Sequence, residues 1–280
     1  INFLFWFLMF YMIKILIFNL NILSFIFFNK QVLSEWVSSS GKYFIDRNIS
    51  VSEACQNALV KSKNNALRKA LGERITSQEL EVCTDNSQKN ECELYRNTFN
   101  FLDGGLITDI SDEKESIIED FPKKYCLVNL RVNIKKFTTK PDFNYTINVN
   151  LNNKSIINEG DEISISGEVN KNSYLTILGW YPDLNKDYYY KIYPNKYTKS
   201  ISFKGSFNIP DIHKNKYKIF AQLPKNYKKK EAYEFWIVIA SKIKLDILER
   251  QKISELNKRL FELGRSNWEI RRLGYKIVRN

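Results

Sequence analysis

Between Tyr145 and Ala240 the chain repeats one pattern: short runs rich in β-branched and aromatic residues, each closed by Gly, Pro, Asn, Asp or Ser. Strand candidates fall at residues 145–151, 162–169, 173–181, 188–193, 200–209, 216–223 and 234–240. Such spacing predicts an antiparallel β-sandwich of about seven strands, and roughly 100 residues is a normal length for one. Beyond it, residues 244–263 place Ile247, Leu248, Leu256, Leu260 and Leu263 on a helical stripe with charges between them, ended by Gly264. Tyr275 to Val278 is expected to return as an edge strand.

The half before the sandwich is written differently. Ser50 or Ser52 is placed to cap a helix whose Ala54, Cys55, Ala58, Leu59, Ser62, Ala66, Ala70 and Leu71 recur at steps of three and four. Small residues dominate that face, so the helix can approach a sheet closely. Residues 86–100 hold a second, less periodic helix candidate. After Asp103-Gly104-Gly105, residues 106–119 and 124–137 read as two long strands. In the second, Cys126, Val128, Leu130, Val132 and Ile134 alternate with Leu127, Asn129, Arg131 and Asn133, the period of a strand buried on one face. Residues 120–123, with Pro122, form the expected turn. The fold class is therefore α+β: a two-layer α/β unit of helix on antiparallel hairpin, then an antiparallel sandwich, then a C-terminal helix. The boundaries expected are a leader at 1–34, the α/β unit at 35–137, a linker at 138–143, the sandwich at 144–242, and a C-terminal helix and tail at 243–280.

The leader sets the compartment. Lys14 precedes an almost uninterrupted apolar run from Ile15 to Phe28, followed by a polar exit to Ser34. That is the layout of a secretory signal peptide cut after Ser34. Taken from Ile1, the apolar stretch is also long enough to span a bilayer, so an uncleaved inner-membrane anchor is the alternative. Either reading puts the rest of the chain outside the cytoplasm, in the periplasm or an equivalent space. There, four cysteines argue for disulfides. The polar segment CTDNSQKNEC makes Cys83 with Cys92 the natural local bridge and leaves Cys55 for Cys126, which would pin the helix to a strand. A zinc site is disfavoured, because no CxxC occurs and His213, the only histidine, is distant in sequence.

The formal net charge is +12 at pH 7. Lysines are nevertheless scattered along the whole chain, and Lys, Asn, Ile, Phe and Tyr are over-used together, as AT-rich coding produces. Only Lys228 to Lys230 and residues 214–218 cluster. Nucleic acid is therefore not an expected partner. A binder of anionic polymer stands as one alternative function, with the steep salt dependence such binding carries.

Several motifs lie in the second half in a distinctive order: Asn158-Glu159-Gly160-Asp161 before a strand, Asn172-Ser173-Tyr174-Leu175, Lys191-Ile192-Tyr193-Pro194-Asn195, and Phe207-Asn208-Ile209-Pro210. Over residues 143–242 this resembles the bacterial envelope domain catalogued as domain of unknown function 4384. The connection 182–190 departs from that pattern in lacking an Asp-Gly turn. The first half is similar, more weakly, to the N-terminal domain of flagellar assembly protein T and to Lpp20-type lipoproteins. That likeness rests on the strand from Trp36 to Phe44, the Ala-rich helix ending in Gly72, and Gly105-Leu106-Ile107 opening a hairpin. The resemblance of the second half implies a bacterial envelope protein, that of the first half a periplasmic or outer-membrane-associated assembly factor, and neither brings catalytic residues with it.

The inventory for catalysis is thin. No P-loop, GxGxxG, GxSxG or HExxH pattern occurs, so neither cofactor nor metal is expected. His213 reads as a turn residue, and Asp109, Asp112, Glu113 and Glu115 as the solvated face of a strand. Trp180, Tyr181, Tyr188, Tyr189, Tyr190, Tyr193 and Tyr197 crowd one stretch, where alternation sends some rings inward and others out. Trp180, Tyr188, Tyr190 and Tyr193 are the candidate partner-binding residues. The function expected is that of an exported, non-enzymatic envelope protein, an interaction or assembly module whose partners are other envelope proteins. A glycan-binding or glycan-processing periplasmic enzyme is the other alternative, and membrane contact is expected only through an uncleaved leader.

Overall fold

The computed structural model of the chain describes residues 34–47, 49–71, 105–152, 155–182, 184, 188–198, 200, 202–210, 217–224 and 227–279, and these form an α+β fold. Its first elements are β1 (Ser34–Ile45), α1 (Val51–Leu71), β2 (Leu106–Asp120) and β3 (Lys123–Lys135). The strands pair antiparallel in the order β1-β3-β2, so the expected hairpin gains a third strand on its open side. Alternation along β3 buries Cys126, Val128, Leu130, Val132 and Ile134 against α1, which presents Ala54, Cys55, Ala58, Ser62 and Ala66. Ser50 caps the helix, its Oγ accepting the Glu53 N–H at 3.1 Å.

Small residues let helix and sheet nearly touch. A methyl group on Gly41 of β1 would lie 2.1 Å from the Ala58 carbonyl oxygen and 2.5 Å from the Ser62 nitrogen. The same proximity lets the Ser39 hydroxyl donate to the Ser62 carbonyl at 2.8 Å and the Asn65 amide donate to the Ser40 carbonyl at 2.8 Å. Cys55 and Cys126 are joined by a disulfide across this interface, with Cα atoms 5.1 Å apart. Cys83 and Cys92 lie outside the described residues, as do His213 and the helix candidate at 86–100.

The remaining elements are β4 (Ile147–Leu151), β5 (Ile156–Asn158), β6 (Glu162–Ile163), β7 (Ile165–Trp180), β8 (Tyr188–Tyr193), β9 (Phe203–Ile209), β10 (Ile219–Phe220), β11 (Glu231–Ser241), β12 (Arg250–Lys252), α2 (Ile253–Leu263) and β13 (Trp268–Val278). The central sheet runs β12-β8-β7-β11-β13-β5. Only the β13–β5 pair is parallel within it. Residues 165–169 of β7 leave this sheet to pair with β4 on one side and β9 on the other.

That smaller layer covers one face of the central sheet: Ile147, Val149, Ile165, Val169, Phe207 and Ile209 join Ile177, Trp236, Val238, Tyr275 and Ile277 in one core. The opposite face is covered by α2 and the segment before it, through Ile247, Leu256 and Leu260 against Leu178, Trp180, Tyr189, Phe235, Ile237 and Ile239. β11 is therefore apolar on both sides, even positions 236, 238 and 240 meeting one core and odd positions 235, 237 and 239 the other.

Three features differ from the sequence expectation. The C-terminal helix begins at Ile253, not 244, because residues 250–252 are taken up as β12 beside β8. Ile247 is buried as extended chain, while Leu248 is exposed. The tail is an interior strand: β13 pairs with β11 over its whole length and with β5 on its other side. The candidates at 162–169 and 173–181 merge largely into one strand, β7, whose register shifts between Val169 and Ser173 as it passes from one sheet to the other.

Polar clips fix the connections. In the Asn158-Glu159-Gly160-Asp161 motif, the Asp161 carboxylate accepts the Asn158 N–H at 3.0 Å around Gly160, whose φ of 95° is one glycine tolerates. Glu159 accepts the Leu223 N–H at 3.1 Å and the Arg279 Nε at 2.7 Å, which ties the end of β13 to the segment after β10. In the stretch expected as a linker, Asp142 is held between Lys171 at 2.7 Å and Lys242 at 2.8 Å. Those two ammonium groups keep its carboxyl well below the usual range. Phe137 packs on Phe261 and Trp268 at ring distances of 5.0 and 6.0 Å.

Two substitutions test the helix–sheet seam. Gly41→Ala has no room without moving α1, and a loss of about 3 kcal/mol is expected in urea denaturation; an unchanged midpoint would mean the helix does not sit this close. Reducing Cys55–Cys126 releases a crosslink spanning a sequence separation of 71. Chain entropy then assigns it about 4 kcal/mol, to be read as a fall in thermal midpoint on reduction and in the Cys55→Ala/Cys126→Ala double variant.

Candidate functional site

The aromatic stretch resolves by strand parity. In β8, Tyr189 points into the core beneath α2 and meets Trp180 edge to face at 6.2 Å. Trp180 itself is 1 % exposed and also packs on Phe235 at 5.7 Å, so its ring is closed to a partner. Tyr193 is half-buried against the larger core. The outward positions are Tyr188, half-buried, and Tyr190, 39 % exposed.

What the sequence did not disclose is their neighbour across the sheet edge. β12 pairs with β8 so that Arg250 lies opposite Tyr190 and Lys252 opposite Tyr188. The Arg250 guanidinium stacks 4.0 Å over the Tyr188 ring and stands 6.0 Å from that of Tyr190. Nearby acids are engaged elsewhere: Glu249 pairs with Lys191 at 2.9 Å, and Glu255 accepts the Gln251 amide at 2.7 Å. Arg250 pairs with no carboxylate among the described residues. A guanidinium held over an aromatic ring still carries its N–H donors in its own plane, where they can meet another molecule. Tyr188, Tyr190, Arg250 and Lys252 thus make a cation–aromatic patch on an exposed sheet edge.

A second cluster is internal. Glu234 is the one acid in the otherwise apolar centre of β11 and lies opposite Tyr275 of β13. Its carboxyl accepts the Tyr275 hydroxyl at 2.5 Å and the Trp236 indole N–H at 3.1 Å. Gly179 leaves room for it, since a methyl there would come within 3.1 Å of the carboxyl. Tyr181 nearby donates its hydroxyl to the Gln222 carbonyl at 3.1 Å. Burial raises the Glu234 carboxyl to about 6, against the lowering effect of its hydrogen-bond donors. Burial and the adjacent carboxyl push the Tyr275 and Tyr181 hydroxyls well above the usual range. Glu234 is not among the site residues expected from the sequence, although a lone acid inside an apolar strand is a signal that could have found it.

The acids singled out on β2, namely Asp109, Asp112, Glu113 and Glu115, are exposed. Among the described residues no three of His, Cys, Asp and Glu converge to hold a metal ion, and no helix is long and apolar enough to cross a membrane. No protein-family model and no curated protein matches the chain.

The buried carboxyl makes stability pH-dependent in a defined direction. Folded Glu234 holds its proton up to about pH 6, whereas the unfolded chain releases it near 4.5. Between those values the native state binds more protons, so stability falls as pH rises and the loss is complete above about 6. The size expected is about 2 kcal/mol. Glu234→Gln should remove this slope: thermal melts from pH 4.5 to 7 should show the wild type losing ground to the variant, and parallel curves would contradict the assignment.

Proposed function

We propose that this protein is an exported, non-enzymatic envelope component that works as an interaction module, with the β8–β12 edge as a surface through which it holds a protein partner. The observation that carries the reading is the Tyr188–Arg250–Tyr190 stack, a preorganised cation between two rings at a sheet edge, with both neighbouring carboxylates bonded elsewhere. Aromatic and arginine side chains of this kind dominate the energy of many interfaces. Export is supported by the Cys55–Cys126 bond, since such bonds persist in oxidising compartments, and by the apolar leader. The bacterial envelope setting is the expectation that the motif order of residues 143–242 carries.

The outward tyrosines separate recognition from stability. Tyr188→Ser with Tyr190→Ser is expected to leave the thermal midpoint nearly unchanged, because neither ring belongs to a core, while in-cell crosslinking should lose at least about tenfold of the recovered envelope partner. Unchanged recovery with an unchanged midpoint would remove the patch from the interface. Recovery of no envelope protein by the wild type would remove the assembly reading.

A further inference from the structure

We propose that the open face of the β1-β3-β2 sheet, the face turned away from α1, binds a carboxylate-bearing sugar, with Arg131 taking the carboxylate and Trp36 the ring. This site is separate from the β8–β12 edge and does not depend on it. Trp36 of β1 is 40 % exposed, and the Arg131 guanidinium of β3 lies 5.3 Å from its ring centroid. Arg131 is exposed and pairs with no carboxylate among the described residues.

The acids nearest in register are already engaged. Asp109 accepts the backbone N–H of Ile110 at 2.9 Å, Asp112 accepts the Ser111 hydroxyl at 3.3 Å, and Glu35 pairs with Lys136 at 2.8 Å. Cross-strand neighbours of Arg131 are Ser38 on β1 and Ser111 on β2, so nothing larger than a serine flanks it on either side. Directly after Ser111 the β2 register shifts, with Asp112 at φ 55°, a conformation rare for a residue other than glycine. That bulge takes Asp112 and Glu113 out of the pairing beside Arg131.

The chemistry of the ligand follows from what the face offers. A fork of donors with no internal anion selects a planar oxyanion, and its geometry matches a carboxylate through two parallel hydrogen bonds. Beside it stands one flat aromatic ring, and around both lie short hydroxyl and amide groups, Ser38, Ser40, Ser111 and Asn129. A pyranose presents the complement: an apolar ring face for the indole, hydroxyls for the serines and asparagine, and, in a uronic acid, the carboxylate for Arg131.

The test uses tetragalacturonate, its methyl ester and hexaglutamate as probes, in isothermal calorimetry with the oxidised protein at one fixed salt concentration. The acid should bind, and the methyl ester and the peptide should each bind at least about tenfold more weakly. Arg131→Gln and Trp36→Ala should each lose about tenfold or more, while Lys114→Gln should keep the wild-type affinity and all three variants the wild-type melting profile. Equal losses for Arg131→Gln and Lys114→Gln would reduce the effect to general charge and overturn the proposal. So would an ester or a peptide that binds as tightly as the acid, or an absence of binding at millimolar acid.

Discussion

The second half of this molecule depends on the burial of β11 from both sides. Trp236, Val238 and Ala240 face one core and Phe235, Ile237 and Ile239 the other, so the strand needs a layer above it and a layer below. One layer is the small sheet of β4, β9 and the start of β7; the other is α2 with the chain that leads into it. Removing either would expose a row of large apolar side chains, each worth about 2 kcal/mol when buried. The C-terminal segment therefore belongs to the fold: α2 supplies one cover, and β13 supplies the neighbour that keeps β11 off the sheet edge. Trp268 links the two, its indole N–H donating to the Leu260 carbonyl at 2.9 Å while Arg265 stacks on its ring at 4.1 Å.

The first half solves a smaller problem by closer packing. With alanines, serines and Gly41 at the seam, its helix and sheet bury little side-chain volume, and the Cys55–Cys126 bond adds a covalent tie where apolar area is scarce. The polar clips at Asp142 and Glu159 hold connections in place. Among the described groups, Arg250 and Arg131 each lie near an aromatic ring at an exposed position and pair with no carboxylate. Recognition is the chemistry such groups suit, and it is the basis of the proposed role.

Much of the architecture was legible where one face of an element is buried. The alternation of β3 and the three- and four-residue steps of α1 both record single-sided burial, and both matched the structure. Legibility failed where pairing is set by distant strands. Arg271, Arg272 and Gly274 make β13 look like a frayed tail, yet β11 accepts it as an interior neighbour because its inward positions, Tyr275 and Ile277, are buried. Asn170, Lys171 and Asn172 look like a turn, but they mark the place where one strand changes sheets. For the candidate site, alternation separated Tyr189 from Tyr188 and Tyr190. It could not bring Arg250 to them, since that contact exists only through the β8–β12 register, and it did not bury Trp180, which a single ring position cannot decide.

The central claim is that β11 and β13 form one cooperative unit closed on both faces. Amide hydrogen exchange measured residue by residue tests it most directly. The expected result is that amides along β11 and those of β13 facing it are the slowest in the chain, exchanging together at the rate set by global unfolding. Fast exchange along β13 while β11 stays protected would show a peripheral tail and contradict the arrangement.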